Sequence, residues 1–462
     1  MQKWLNRRVQ LAIYDNALEA WNPELWAQES LVILEENMVV GNLVHRDFEN
    51  IIAQYGEVVN TRRPGTFTAK RVGSEGVTIQ NATATPVLVP LNQQLHVSFM
   101  IRDAERAKSF ADLVQEYLKP ALLAEAQMVD RILLGQAYQF LAYRAGGLGA
   151  ITSSNSKATV LDARKVMNDN KALAPRNMIV TSSTETAILN TDLFISAEKV
   201  GDQGTALRTA SIGTKLEWDF YMCQNTPYVS ASVDATTGAI NNSTGYAVGA
   251  TTVTVDGFSG ALVLGSWMVI AGDNRPLRVT GQTASSNTTS ITFTPALTTA
   301  VVDNAVVTVC GKTGAVNLPA GYAAGYDEGI AFDGFTNKPQ VGQGVTFGIA
   351  NDIYCVIDID LTNSEITLDR PLDADIADNA AINLLPTGSY NFGFHRNAIT
   401  MVTRPLPAPM PGLALSSVVN FNGLSLRVVI TYNGQLQGHL VTVDMLFGTQ
   451  ILDKHLGVVM LG

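Results

Sequence analysis

One stretch of this chain is written twice. Asp256-Gly257-Phe258 returns as Asp333-Gly334-Phe335, an offset of 77 residues. Downstream, Ile291-Thr292-Phe293-Thr294-Pro295 with Asp303-Asn304-Ala305 matches Ile366-Thr367-Leu368-Asp369-Arg370-Pro371 with Asp378-Asn379-Ala380, now at an offset of 75. The copies differ by a small insertion or deletion. Both are rich in Val, Thr and Gly, with turn signals about every 8 to 12 residues, the pattern of short strands in an all-β unit. Two copies are too few for a solenoid, which needs at least three repeats to bury a continuous core. The segment reads as two small β-barrel or sandwich modules, or as one pseudo-duplicated module.

Charge marks out the same segment. The 462 residues hold 31 Lys+Arg and 41 Asp+Glu, a net of −10. Between Tyr228 and Gly388 there are 15 acids and 5 bases (Arg275, Arg278, Lys312, Lys338, Arg370), so this block carries the whole imbalance. The rest balances at 26 of each. A length of 462 suffices for two or three domains with real cores. Charged residues are 16% of the chain, against roughly 25% in soluble domains, so much of the surface is expected to be covered by other protein. A 46% apolar content excludes disorder, and net −10 argues against a general nucleic-acid binder, which needs a basic field. No run of about 18 apolar residues marks a membrane span, and no apolar stretch follows Lys3, Arg7 and Arg8 to make a secretion signal.

Catalytic and metal chemistry find no foothold. Cys223, Cys310 and Cys355 are far apart and lack CxxC spacing, so they read as reduced, buried thiols. His45, His96, His395, His439 and His455 are scattered, without HExxH. Gly311-Lys312-Thr313 mimics the end of a phosphate loop, but Val306 stands where its first glycine belongs. Gly146-Gly147-Leu148-Gly149 follows a helix, so it reads as a helix stop rather than a dinucleotide fingerprint. No cofactor, no metal and no catalytic residue is assigned; the chain is read as not an enzyme.

The other segments have distinct characters. Met1 to Trp21 reads as an amphipathic arm, and Asn22-Pro23-Glu24 caps and opens a helix. Glu57 to Met100, with Pro64, Pro86 and Pro90, reads as a two-stranded excursion too thin for its own core. Arg62-Arg63 and Lys70-Arg71 there form the densest basic cluster, either a solvated loop or a docking element for an acidic neighbour. Asp103 to Arg144 is helical and divided by Pro120. The longer piece carries Leu122, Ala126, Val129, Leu133, Ala137 and Phe140 as one stripe on a rod of about 25 residues, roughly 37 Å. Residues 158–227 read as a small α/β layer. Leu424 to Tyr432 alternates, and Asn433-Gly434 turns it into Leu440 to Phe447 as an antiparallel pair.

In this order the parts resemble a tailed-phage major capsid protein of the Hong Kong 97 type. The likeness is greatest to the subgroup, typified by a Salmonella podophage coat protein, that carries an extra β insertion domain. The residues that carry it are Pro23-Glu24-Leu25-Trp26-Ala27-Gln28-Glu29, Val59-Asn60-Thr61-Arg62-Arg63-Pro64, His96-Val97-Ser98-Phe99 and Lys119-Pro120-Ala121. Further along are Ser211-Ile212-Gly213, Asn225-Thr226-Pro227, Phe394-His395-Arg396-Asn397-Ala398 and Thr403-Arg404-Pro405-Leu406-Pro407. Their colinearity over nearly the whole chain is the signal.

The resemblance implies an α+β capsid fold. Its parts are an N-terminal arm (1–56), an E-loop (57–101), a peripheral domain with a long spine helix (102–157), an axial domain (158–227), an acidic β insertion (228–388) and a C-terminal return (389–462). The duplicated β unit is a departure from the family. The implied role is self-assembly into pentamers and hexamers of an icosahedral head around double-stranded DNA, touched non-specifically. Implied partners are a separate scaffolding protein, a portal and a decoration protein, with no membrane; the implied location is the virion capsid, and the host cytoplasm during assembly. Arg62, Arg63, Lys70 and Arg71 are expected to meet Glu116, Glu125 or Asp130 of an adjacent subunit. Some members cross-link a Lys to an Asn; Lys70 lies in the corresponding loop, but no matching Asn and Glu pair accompanies it. The alternative is a β-rich phage adhesin or carbohydrate-binding protein using Trp267, Tyr322, Tyr326 and Tyr354, although aromatics in β modules are more often core.

Overall fold

The computed structural model describes residues 23–48, 56–63, 67, 69–72, 77, 79, 85–102, 114–149, 151–196, 209–230, 235–258, 262–284, 288–310, 314–335, 338–409, 414–421 and 423–462. The amphipathic stretch Met1 to Trp21 and the Gly311-Lys312-Thr313 motif lie outside these residues. So does the helix expected before Pro120, apart from Val114–Leu118. Two units are distinguished: Met1–Val129 with Ile399–Leu452, and Asp130–Ala398 with Asp453–Gly462.

The first unit is built on a mostly antiparallel sheet. Its long strand Gly438–Ile451 pairs with Leu424–Asn433, with Ile399–Arg404 and with Gln93–Arg102. Leu415–Phe421 extends the sheet beyond Leu424–Asn433, and His45–Phe48 joins in parallel beside Ile399–Arg404. The alternation around Leu424 thus has the expected partner. The connection, however, is a four-residue loop between Asn433 and Gly438, in which Asn433 Oδ1 accepts from the Gln435 and Leu436 N–H groups. That side-chain capping replaces the two-residue turn expected from Asn-Gly. The helix Pro23–Asn37 packs on the sheet through Trp26, Ala27, Leu31 and Leu34, and Trp26, Phe99 and Tyr117 form a ring chain.

As expected, the longer helix, Lys119–Gly135, starts with Pro120 in its first turn, where a missing N–H is harmless. The α-helix has 17 residues and not about 25, because Gln136–Phe140 tightens into a 3₁₀ turn. The ring pairs Tyr138–Tyr390 and Phe140–Phe392, both near 5 Å between centroids, take up the tightened turn. Arg144–Gly146 is then a short strand parallel to Gly457–Leu461, so the glycines that follow do not end a helix.

The second unit holds a sheet in the order Arg144–Gly146, Gly457–Leu461, Gly388–His395, Arg176–Val180, Trp218–Met222, Thr214–Lys215. Helices Ser156–Asp169 and Ser182–Leu189 add Val160, Ala163, Met167 and Ile188 to a core with Met178, Trp218 and Met460. Asn391, fully buried, ties this layer together. Its Oδ1 accepts from Thr181 N–H (2.8 Å), and its Nδ2 donates to Thr184 Oγ1 and Met460 O (both 3.1 Å). Asn391→Leu should leave those groups unpaired and cost about 2–3 kcal/mol, read from urea denaturation.

The written repeat is also a topological repeat. Strands β1 (Thr236–Ile240), β2 (Thr252–Asp256), β3 (Trp267–Ile270), β4 (Leu277–Ala284), β5 (Thr288–Thr294) and β6 (Val306–Cys310) close a barrel in the order β1-β2-β5-β4-β3-β6. Strands β7 (Ala315–Val316), β8 (Ile330–Asp333), β9 (Gly344–Phe347), β10 (Tyr354–Asp360), β11 (Glu365–Leu368) and β12 (Ile382–Leu384) follow in the same order, β7-β8-β11-β10-β9-β12. In this second copy the ends meet at an Ala315–Ala381 bridge and not along a full ladder. Detail recurs as well. The Tyr246 hydroxyl accepts from Thr254 N–H and the Tyr322 hydroxyl from Ala331 N–H. Asn304 and Asn379 share a left-handed backbone, φ 61° and 58°, each donating to the preceding aspartate.

The copies touch head to tail. Trp267 Nε1 lies 3.4 Å from Thr346 Oγ1, and Arg278 Nη1 donates to Asn351 Oδ1 at 2.6 Å. Ser266 Oγ also lies 3.4 Å from Asn383 Oδ1; at the offsets of the repeat, the first-copy counterparts of Thr346 and Asn383 are Val269 and Thr308. Those two instead wall a cavity of about 400 Å³ with Leu148 and Ser183, so the contact is heterologous. Heterologous pairs leave two unused faces. Here both are seated: Arg144 Nη1 donates to Pro276 O (2.7 Å) on the first copy, and the Tyr138 hydroxyl to Gly342 O (2.6 Å) on the second.

Acidity separates the copies. Residues 236–310 hold 3 acids and 2 bases, whereas 315–384 hold 11 acids and 2 bases. Thr294 and Thr298 in the first copy stand where Asp369 and Asp373 stand in the second.

Candidate assembly surface

The ribbon of the first unit is the feature that the chain leaves least complete. Val58–Arg63 and Thr85–Pro90 pair antiparallel from Val58↔Pro90 to Arg63↔Thr85. Pro86 and Pro90 give the ladder no donor, which a strand tolerates at an edge but not inside a sheet. The base is anchored. Val89 and Leu91 are fully buried with Val402, Leu406 and Leu446, and Gly56 and Leu91 N–H groups donate across it to Leu91 O and Glu57 O at 2.7 Å. Beyond the base, apolar side chains stand in solvent: Leu88 is 56% exposed, Phe67 64%, Val72 72% and Ile79 88%. A two-stranded ribbon has no second layer to cover these groups. The expected excursion therefore stops at Pro90, since Gln93–Arg102 belongs to the main sheet through its ladder to Gly438–Phe447.

Arg62 and Arg63 occupy the last two positions of their strand, opposite Pro86 and Thr85; their side chains are outside the described residues. Lys70 and Arg71 are exposed. Of the three acids proposed as partners, Glu116 is exposed, while Glu125 and Asp130 are each only 2% exposed. The reason was available in the spacing. Glu125 falls three after Leu122 and four before Val129, and Asp130 falls four after Ala126 and three before Leu133, so both lie on the apolar stripe. Counting charges without assigning a helix face missed this. Burial takes Glu125 and Asp130 off the accessible surface of the chain.

Candidate chemistry elsewhere resolves into packing. All three cysteines are buried and in no disulfide, and burial pushes the Cys223 thiol up to about 11. Trp267 and Tyr322 are 6% exposed and Tyr354 is 4%, with Tyr326 at 46% the exception among the four aromatics. The Arg370 guanidinium sits 4.3 Å over the Tyr354 ring and pairs with Asp373. Among the described residues no three His, Cys, Asp or Glu groups gather into a metal-holding cluster, and no helix is long and apolar enough to cross a membrane.

Comparison by sequence finds no matching family model and no matching curated protein. Solved structures do match along most of the chain. A structure from Mycobacterium phage Che8 is 11% identical, with 91% of this chain and 90% of that one covered and a TM-score of 0.41. The capsid of the cyanophage P-SCSP1u is 9% identical over 91% and 87%, with a TM-score of 0.42. The capsid of Staphylococcus phage Andhra is 8% identical over 90% and 82%, with a TM-score of 0.38. At this identity and overlap the likenesses lend no residue role or activity to this chain.

Proposed function

We propose that this protein is a structural subunit of a phage shell, a major capsid protein that self-assembles into pentamers and hexamers of an icosahedral head around double-stranded DNA. The observation that carries the reading is the ribbon: anchored at Val89 and Leu91, yet exposing Phe67, Val72, Val77, Ile79 and Leu88. Several large apolar side chains left in solvent on one ribbon point to a protein–protein contact. In a shell each ribbon lies on the next subunit, and many modest contacts act together. On this reading residues 1–56 are the arm, 57–101 the E-loop, whose ribbon ends at Pro90 and whose last strand joins the main sheet, 102–157 the spine-helix segment, 158–227 the axial domain, 228–388 the insertion and 389–462 the return.

Lys70 and Arg71, with Arg62 and Arg63, then meet acidic groups of the neighbour. Glu116 is the exposed one of the three named acids. A separate scaffolding protein, a portal, a decoration protein and the packaged DNA are the further partners of this reading. The virion capsid is its location, after assembly in the host cytoplasm. The adhesin alternative is weakened by the burial of Trp267, Tyr322 and Tyr354.

Negative-stain electron microscopy of the purified protein, alone and with co-expressed scaffolding protein, tests the proposal. Closed or tubular shells are expected. Monodisperse monomers under both conditions would count against it.

A further inference from the structure

The stripe of the helix Lys119–Gly135 contains one group that no shell contact explains. Glu125 is 2% exposed, and neither carboxylate oxygen has a hydrogen-bond partner. An ionised carboxylate held away from water without donors is costly, so such a group keeps its proton instead. The surroundings add to this. Asp444 on Gly438–Ile451 bears on Glu125 with like charge, and it is itself 4% exposed. Arg427, on Leu424–Asn433, is engaged by both Asp444 oxygens and so is already committed. His96, on Gln93–Arg102, stands across from Asp444 in the ladder. The Arg427 guanidinium therefore serves Asp444, and among the described residues no cation donates to Glu125.

We propose that Glu125 is a proton-operated latch: its neutral carboxyl keeps residues 119–129 of the helix packed in the first unit, and ionisation loosens that packing. Burial and the Asp444 carboxylate push Glu125 up to about 8. The direction follows from linkage. A carboxyl raised in the folded chain keeps its proton after the unfolded chain has lost it. Stability therefore falls as pH rises from the ordinary carboxylate range and levels off above about 8. The latch does not depend on the shell reading, since it operates inside one chain.

The test is hydrogen exchange of residues 119–129 in soluble full-length protein from about pH 5 to about pH 10, in wild type and Glu125→Gln, with rates corrected for intrinsic pH dependence. Gln has the same shape and cannot ionise. Wild-type protection should fall by up to about a thousand-fold across the range, while Glu125→Gln stays flat. Infrared spectra from about pH 7 upward, where Asp369 (pushed up to about 6) has lost its proton, should show in wild type a protonated-carboxyl band that is lost above about pH 8 and is absent from the variant. Parallel pH profiles in the two proteins would overturn the proposal. So would an ionised Glu125 throughout, which the infrared readout on wild type detects even if the variant fails to fold.

Discussion

Changing Arg62, Arg63, Lys70 and Arg71 together to Glu is expected to abolish shell formation and leave monomer unfolding within about 1 kcal/mol of wild type. The two halves of this result have different origins. Lys70 and Arg71 are exposed, and no ion pair within the described residues involves them, so little intramolecular energy rides on their charge. Between subunits each exposed pair contributes only about 0–1 kcal/mol, so single reversals should be nearly silent. Four reversals at one docking element turn each attraction into a repulsion, and a closed shell multiplies the deficit over every copy. Electron microscopy and sedimentation at low and high salt read it out. Screening should partly restore assembly, because the Debye length shrinks to about 3 Å at 1 M salt. Normal shells from the quadruple variant at low salt would refute the docking role. A variant that fails to assemble because it is unfolded would show itself in the melting curve.

The repeated barrels give the largest expected loss of stability. Gly245 and Gly321 occupy equivalent turns with φ of +67° and +66°. A Cβ on Gly245 would lie 2.3 Å from Val301 O, and one on Gly321 would lie 2.3 Å from Ile376 O. Both oxygens belong to bridges, Tyr246–Val301 and Tyr322–Ile376, so the backbone cannot withdraw without breaking a pairing. A β-branched side chain meets two penalties here, the left-handed backbone and the clash. Gly245→Val and Gly321→Val should each cost about 3 kcal/mol or more in chemical denaturation. Gly434→Val is the control, since nothing lies within 4 Å of its Cβ position and its change should stay near 0.5 kcal/mol. If either barrel substitution behaves like the control, the equivalence of the two turns is wrong.

What could be read from the chain, and what could not, divides along the range of the interaction involved. The α/β layer of residues 158–227 was visible because helices such as Ser182–Leu189 carry their own N-cap, with Thr181 Oγ1 accepting from Thr184 N–H. The 3₁₀ end at Gln136–Phe140 was not visible, because it is fitted to the rings of Tyr390 and Phe392, some 250 residues later in the chain. The basic residues of the ribbon could be named from composition. The burial of Glu125 and Asp130 needed the helix face, a pattern that the same stripe of apolar residues already contained.

The duplication shows the same boundary most sharply. That residues 228–388 hold two copies of a β unit and the entire net charge is legible in the residues alone, since identity and charge are properties of each residue. So is the shortness of the strands in both copies, because turn chemistry is local. That the copies share one strand order, that they meet head to tail, and that their two spare faces rest on Arg144 and Tyr138 emerges only in the folded chain. Strand pairing and face-to-face contact depend on which distant groups arrive together. A carbonyl such as Gly342 O carries no mark in the sequence of the hydroxyl, 204 residues away, that will satisfy it.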